Sequence, residues 1–154
     1  MANPDSFHTK WAPRLLSLLR IIAAFLLMQH GAQKVFGVLT PTPPPGAPSS
    51  HGTFELFSRM GVAGILELFG GFLLLLGLFT RPVAFILSGL LAAAYFIQHA
   101  PGGFWPILNR GELAALYSFV FLYLAAAGGG EWSLDSLLSK RRAPSLSAQA
   151  YERT

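Results

Sequence analysis

Between Met60 and Asn109 the chain has two charged residues in fifty, Glu67 and Arg81. No other feature limits its folding so severely. A soluble domain of this length leaves about a third of its unfolded-chain surface in water, and this stretch has almost nothing charged to put there. Charged residues make up 12% of the whole sequence and hydrophobic ones 53%, against roughly 25% charged in an ordinary soluble domain. The chain is therefore expected to be an integral membrane protein. Lipid offers backbone groups no partner, so its spans must be helices and the fold all-α. The length suits one domain. The sequence has no cysteine, which excludes disulfides, thiolate metal sites, iron–sulfur clusters, covalent c-type haem and dithiol chemistry. No self-sufficient redox centre is evident, so a redox role needs an organic cofactor, a haem held otherwise, or a partner protein.

A spanning helix needs about 20 mostly apolar residues, because each adds ~1.5 Å across a ~30 Å hydrocarbon layer. Four segments qualify: Leu15 to Leu39, Gly61 to Phe79, Val83 to Ala100 and Leu113 to Gly129. They predict a four-helix transmembrane bundle over 14–135 with short connections. Residues 1–13 read as a cytoplasmic N-terminal segment and 136–154 as a basic, mobile cytoplasmic tail. The first span is interrupted by Arg20 and no small-residue cleavage site follows it, so it reads as a span and not a secretory leader. Thr40 to Pro48 holds five prolines and cannot propagate a helix, which makes the first extracytoplasmic loop extended. Thr80-Arg81-Pro82 reads as a tight turn with Pro82 in the first turn of the next helix. Ala100 to Pro106 is a further break, with Phe104 and Trp105 suited to the water–lipid boundary.

With four spans, both termini share one side with the Arg81 turn. That side holds Lys10, Arg14, Arg20, Arg81, Lys140, Arg141, Arg142 and Arg153, eight of the eleven basic residues. The positive-inside rule then places both termini in the cytoplasm and the protein in the inner (plasma) membrane. The net charge of +4 is mainly this topology signal, and no nucleic-acid partner is expected. Lys140-Arg141-Arg142 is expected to rest on anionic lipid.

An ionisable side chain at the centre of a span costs on the order of 2.5–3.5 kcal/mol, so those that remain mark function or helix pairing. Along the alternating path they collect near the extracytoplasmic face. His30 and Lys34 end the first span, Glu67 lies about two turns into the second, Tyr95, Gln98 and His99 end the third, and Asn109, Arg110 and Glu112 open the fourth. His30 and Lys34 are four apart and share a face, as do Tyr95 and His99. Gly64, Glu67 and Gly71 form one stripe whose glycines let a neighbouring helix approach Glu67. Burial disfavours a charged carboxylate unless a cation pairs with it, and Lys34, Arg110 or a protonated histidine could do so. Each position also has a structural reading. Glu67 could be a helix–helix ion pair, Lys34 could reach to headgroups, and Tyr117 and Tyr123 fit packing or interface roles. Arg20, ~21 Å from Lys34 along the helix, belongs to the cytoplasmic half, by pairing or by snorkelling.

The ordered set His30-Gly31-x-x-Lys34, Glu67-x-x-Gly70-Gly71, Gly77-x-x-Thr80-Arg81, His99, Gly103-Phe104-Trp105-Pro106, Asn109-x-Gly111-Glu112 and Gly130-x-x-Ser133-Leu134-Asp135 resembles the DoxX family of small four-helix membrane proteins, over roughly Arg14 to Asp135. Two departures stand out: Arg110 occupies a position that is often glycine in the family, and the loop from Thr40 to Ser50 is unusually rich in proline. The resemblance implies polar positions at Arg20, His30, Lys34, Glu67, His99, Asn109 and Glu112. It also implies kinship with a membrane subunit of a thiosulfate:quinone oxidoreductase and with membrane-associated oxidoreductase complexes.

The function expected is a quinone-interacting subunit of such a complex, in the lipid bilayer and with a protein partner that supplies electrons. Glu67, His99 and Glu112 are the candidate proton-handling residues, and His30, Lys34, Tyr95 and Asn109 the candidates for holding the quinone; no metal site is expected. The alternative is a non-catalytic anchor for a soluble redox partner. A haem between His30 and His99 is chemically feasible but disfavoured. A transporter would show helix breaks at mid-membrane, and the sequence has none. A homo-oligomer is compatible with the sequence.

Overall fold

The computed structural model describes residues 4–40 and 55–142, and these are all helical apart from turns. The helices are α1 (Pro4–Phe36), α2 (Arg59–Leu76), α3 (Thr80–Ala94), a short α4 (Pro106–Asn109), α5 (Glu112–Ala127) and α6 (Leu134–Arg142). Three stretches are long and apolar enough to cross a membrane: His8–Phe36, Arg59–Leu76 and Thr80–Gly102. The fourth apolar helix, Glu112–Ala127, has 16 residues, about 24 Å at ~1.5 Å each. Three or four helices can thus span a bilayer. The proline-rich run from Pro41 to Pro48 lies outside the described residues.

The helices pack in two pairs, α1 along α2 and α3 along α5. Contacts between α2 and α3 join the pairs, and α1 meets α5 only lightly. Ala23, Ala24, Leu27, Leu74, Leu87, Leu91, Phe121 and Leu124 form the buried core. Phe25, Phe69, Phe85 and Phe119 point outward and are each more than half exposed. In water that surface would be an aggregation hazard, whereas acyl chains receive it readily.

Several boundaries differ from the sequence expectation. α1 begins at Pro4 rather than Leu15 and continues through Pro13. A proline inside a helix normally removes a backbone bond. The bond lost is the one Pro13 N would donate to the preceding turn; its carbonyl accepts from Ser17 Oγ at 2.9 Å and from the Glu131 amide at 3.3 Å, which ties the loop after α5 to α1. α1 ends at Phe36 because Gly37 turns left-handed, at φ 66°. Thr80-Arg81-Pro82 is not the turn but the opening of α3. The reversal lies at Gly77 and Phe79, with φ of 67° and 50°. Gly77 has no room for a side chain, since a Cβ would lie 2.5 Å from Ser133 Cβ. The third span ends within two residues of Ala100, as expected, but not as one regular helix: α3 passes into a π-helical turn, Tyr95–His99, and a 3-10 turn, Ala100–Gly102. Residues 136–142, expected to begin a mobile tail, belong to α6, where Ser133 Oγ accepts from the Ser136 amide at 3.1 Å as a helix cap.

The end near the termini is closed by side chains bonded to helix ends. Arg20 is completely buried. Its guanidinium donates to the carbonyls of Leu74, Leu75, Gly129 and Trp132. Two of these are the last carbonyls of α2, the negative end of that helix dipole. Arg20 therefore neither snorkels nor forms an ion pair among the described residues. Asp135 accepts from the Phe79 and Thr80 amides at 2.9 and 2.8 Å and caps α3. Arg81 donates to the Ala126 carbonyl at the end of α5, at 2.5 Å.

Candidate functional site

At the opposite end, α1 and α2 approach closely because glycines remove the side chains between them. A Cβ on Gly31 would lie 2.5 Å from the Leu68 amide nitrogen, and one on Gly64 would lie 2.8 Å from Lys34 Cβ. That contact sets Lys34 over Glu67, and Lys34 Nζ donates to Glu67 Oε1 at 2.5 Å. Glu67 is 2% exposed while the Lys34 side chain is 25% exposed. Glu67 Oε2 is buried with no hydrogen-bond partner among the described residues. A buried carboxylate oxygen without a donor is costly, and the structural reading of Glu67 as a satisfied ion pair accounts for only one of its two oxygens.

The second polar group sits where α3 gives way to the π turn. The Ala100 amide reaches back to the Tyr95 carbonyl, the i to i+5 bond that defines such turns, which often occur at functional sites. His99 Nδ1 lies 3.1 Å from the Asn109 backbone carbonyl. A carbonyl can only accept, so Nδ1 carries the proton of this bond. Tyr95 Oη donates to the Phe104 carbonyl, and its ring lies nearly parallel to that of His99, at 23° with centroids 6.5 Å apart. Asn109 Nδ2 donates to the Gly103 carbonyl at 2.6 Å and Asn109 Oδ1 accepts from the Gly111 amide at 2.8 Å. This mesh pins the loop between the π turn and α5.

A cavity of about 470 Å³ lies between the two groups, with Lys34 on one side and His99 on the other. Met60, Val62, Ala63, Leu90, Ala93, Ala94 and Ile97 supply apolar walls, and Arg59 and Gln98 add polar atoms. Glu67 stands behind Lys34, and Tyr95 and Asn109 stand behind His99. Two expected site residues lie elsewhere. His30 is exposed on α1 and does not line the cavity, so it and His99 do not face one another across it. Glu112 is exposed in the first turn of α5, where a carboxylate complements the helix dipole. Arg110 pairs with nothing in the layer. It takes a left-handed conformation, φ 59°, at the end of α4, which is the conformation glycine adopts without penalty.

Arg59 is the cavity residue that the sequence reading passed over. Its usable signal was Ser58, whose side chain accepts from the Gly61 amide at 3.0 Å and starts α2 there, at the same end as Lys34. Among the described residues no cluster of His, Asp and Glu could hold a metal ion.

The DoxX family profile matches residues 15–100. An uncharacterised protein of Haemophilus influenzae is 42% identical over 135 residues, covering 86% of this chain and 96% of that protein. An uncharacterised membrane protein of Mycobacterium tuberculosis is 29% identical over 159 residues, covering 90% of this chain and 89% of its own length. No solved structure matches.

Proposed function

The chain belongs to the DoxX family of membrane proteins, and we propose that it is a quinone-interacting subunit of a membrane-associated oxidoreductase, taking the quinone ring between Lys34 and His99. In this reading the four apolar helices form a bundle across the inner membrane, with both termini in the cytoplasm and the cavity near the outer face. One observation carries the reading: a lysine braced by a buried carboxylate and a histidine held at Nδ1 by the Asn109 carbonyl line the same apolar cavity.

The residues present suit such a ligand. A bound quinone would supply two-electron, two-proton chemistry, with its electrons coming from a partner protein that carries a flavin, haem or iron–sulfur centre. Lys34 has ammonium hydrogens left after its bond to Glu67 and can donate one to a carbonyl oxygen. Glu67 holds that ammonium in place and, through its unpartnered Oε2, can take up or release a proton behind it. His99, oriented by the Asn109 carbonyl, exchanges a proton at Nε2. The aliphatic walls exclude water and leave room for an isoprenoid tail directed to lipid.

Gentle purification from the native membrane followed by solvent extraction tests this. Quinone should co-purify with the wild-type complex, and Glu67→Gln and His99→Gln should each reduce its quinone-dependent turnover. Absence of bound quinone together with full turnover in both variants would remove the proposal. A second reading, a non-catalytic anchor for a soluble redox partner, is favoured by one fact: Glu67 itself does not line the cavity and could serve only to hold α1 to α2. It predicts that Glu67→Gln lowers the abundance of the complex and leaves turnover per complex unchanged.

A further inference from the structure

A separate cleft of about 490 Å³ opens at the other end of the molecule, between the start of α1, the loop before α6 and α6 itself. Lys10 and Arg14 line it from α1 and Lys140 from α6, with the hydroxyls of Thr9 and Ser136 between them. Glu131, the one acid on its wall among the described residues, accepts from Arg14 Nε at 3.1 Å. Lys10 and Lys140 are exposed and form no ion pair among the described residues, so within these residues the cleft holds two positive charges without an acidic partner.

The surface beside it changes character along a single ridge. Lys10, Arg14, Leu18 and Ile22 follow one another at intervals of four, a side-chain ridge that winds about 120° around α1 over about 18 Å. Leu18 and Ile22 are exposed, as are Leu137 and Leu138 on α6. Positive charge at one level and apolar surface directly along the same ridge match an anionic amphiphile, not a free ion.

We infer that this cleft binds the headgroup of an anionic phospholipid, with its phosphate among Lys10, Arg14 and Lys140 and an acyl chain along Leu18 and Ile22. The site is independent of the quinone reading. It also separates neighbours that a purely electrostatic tail would not: Lys140 lines the cleft, whereas Arg141 does not. Basic pockets beside membrane helices suit anionic headgroups, and each cation near such a surface contributes about a fivefold factor to binding.

The test uses the purified full chain in a neutral detergent, titrated with phosphatidylglycerol and followed by native mass spectrometry. Binding should be saturable and should resist displacement by phosphatidylcholine or inorganic phosphate. Lys140→Gln should weaken it about fivefold and Lys10→Gln/Lys140→Gln about thirtyfold, while Arg141→Gln changes it less than about twofold. All three variants alter exposed side chains, and unchanged thermal unfolding would establish that they fold. Equal losses in Lys140→Gln and Arg141→Gln, wild-type binding by the double variant, or displacement by inorganic phosphate would each overturn the inference.

Discussion

Each end of the molecule buries a charged side chain, and the two are treated differently. At the closed end, Arg20 meets four backbone carbonyls drawn from the end of α2 and the loop after α5. At the open end, Glu67 has one oxygen on Lys34 and another with no partner among the described residues, next to a cavity and a π turn. Fully satisfied buried groups hold a structure in one arrangement, while partly satisfied ones retain capacity for a ligand or a proton. The difference supports the proposal that the first end is architectural and the second carries the chemistry, although the closed end also holds one buried hydroxyl, Thr80 Oγ1, without a partner among the described residues.

The largest effect should come from Arg20. Arg20→Gln takes the donor from most of those carbonyls at a fully buried position, and a loss of about 3–5 kcal/mol is expected, as for other broken buried polar networks. The protein should fail to accumulate in the membrane, or melt far earlier in detergent. Arg20→Lys should recover little, because a single ammonium cannot imitate the planar fork. A variant as stable as wild type would show that the closed end is not the structural clamp described.

At the open end the expected loss is smaller and conditional. Lys34→Met strands the Glu67 carboxylate and should cost about 2–3 kcal/mol, below the figure for a fully buried pair because the lysine is partly exposed. Lys34→Met/Glu67→Leu removes both charges and should restore most of that stability, since a buried ion pair often contributes little net energy over apolar replacements. Thermal melts of the single and double variants in one detergent check the sign. If the double variant stays as unstable as the single one, the pair is a clamp like Arg20, and the contrast between the ends collapses.

The sequence made the open end easier to read than the closed one. Scarcity of charge pointed to the spans, and the stripe of Gly64, Glu67 and Gly71 pointed to close helix approach, which the Gly31–Gly64 contact bears out. Lys34 was among the cations proposed for Glu67. The partners of Arg20 left no trace of that kind, because they are backbone carbonyls contributed by Leu74, Leu75, Gly129 and Trp132, which carry no side-chain signature. His30 misled for a different reason: residues four apart are offset by about 40° around a helix, enough for Lys34 to turn inward at Gly64 while His30 stays exposed. The π turn was invisible too, since Tyr95 and His99 also sit together at ordinary helical spacing.

The smallest structural effect, and the sharpest test of the contrast, belongs to His99. Its one observed bond runs from Nδ1 to the Asn109 carbonyl, a single hydrogen bond in a partly exposed position. Asn109 is held independently through Gly103 and Gly111, so the loop does not depend on the histidine. His99→Gln should therefore lower stability by no more than about 1 kcal/mol. Quinone-dependent turnover should meanwhile fall by about 100-fold or more, the usual effect of removing a positioned proton-transfer group. Glutamine can keep a hydrogen bond to the carbonyl but has no basic ring nitrogen for the proton role proposed for Nε2. Arg20→Gln reverses that pattern, losing folded protein while whatever does fold keeps its specific turnover. Measuring melting temperature and turnover per folded molecule for both variants separates the two ends. If His99→Gln lost stability and kept turnover, the π turn would be serving packing, as Arg20 does.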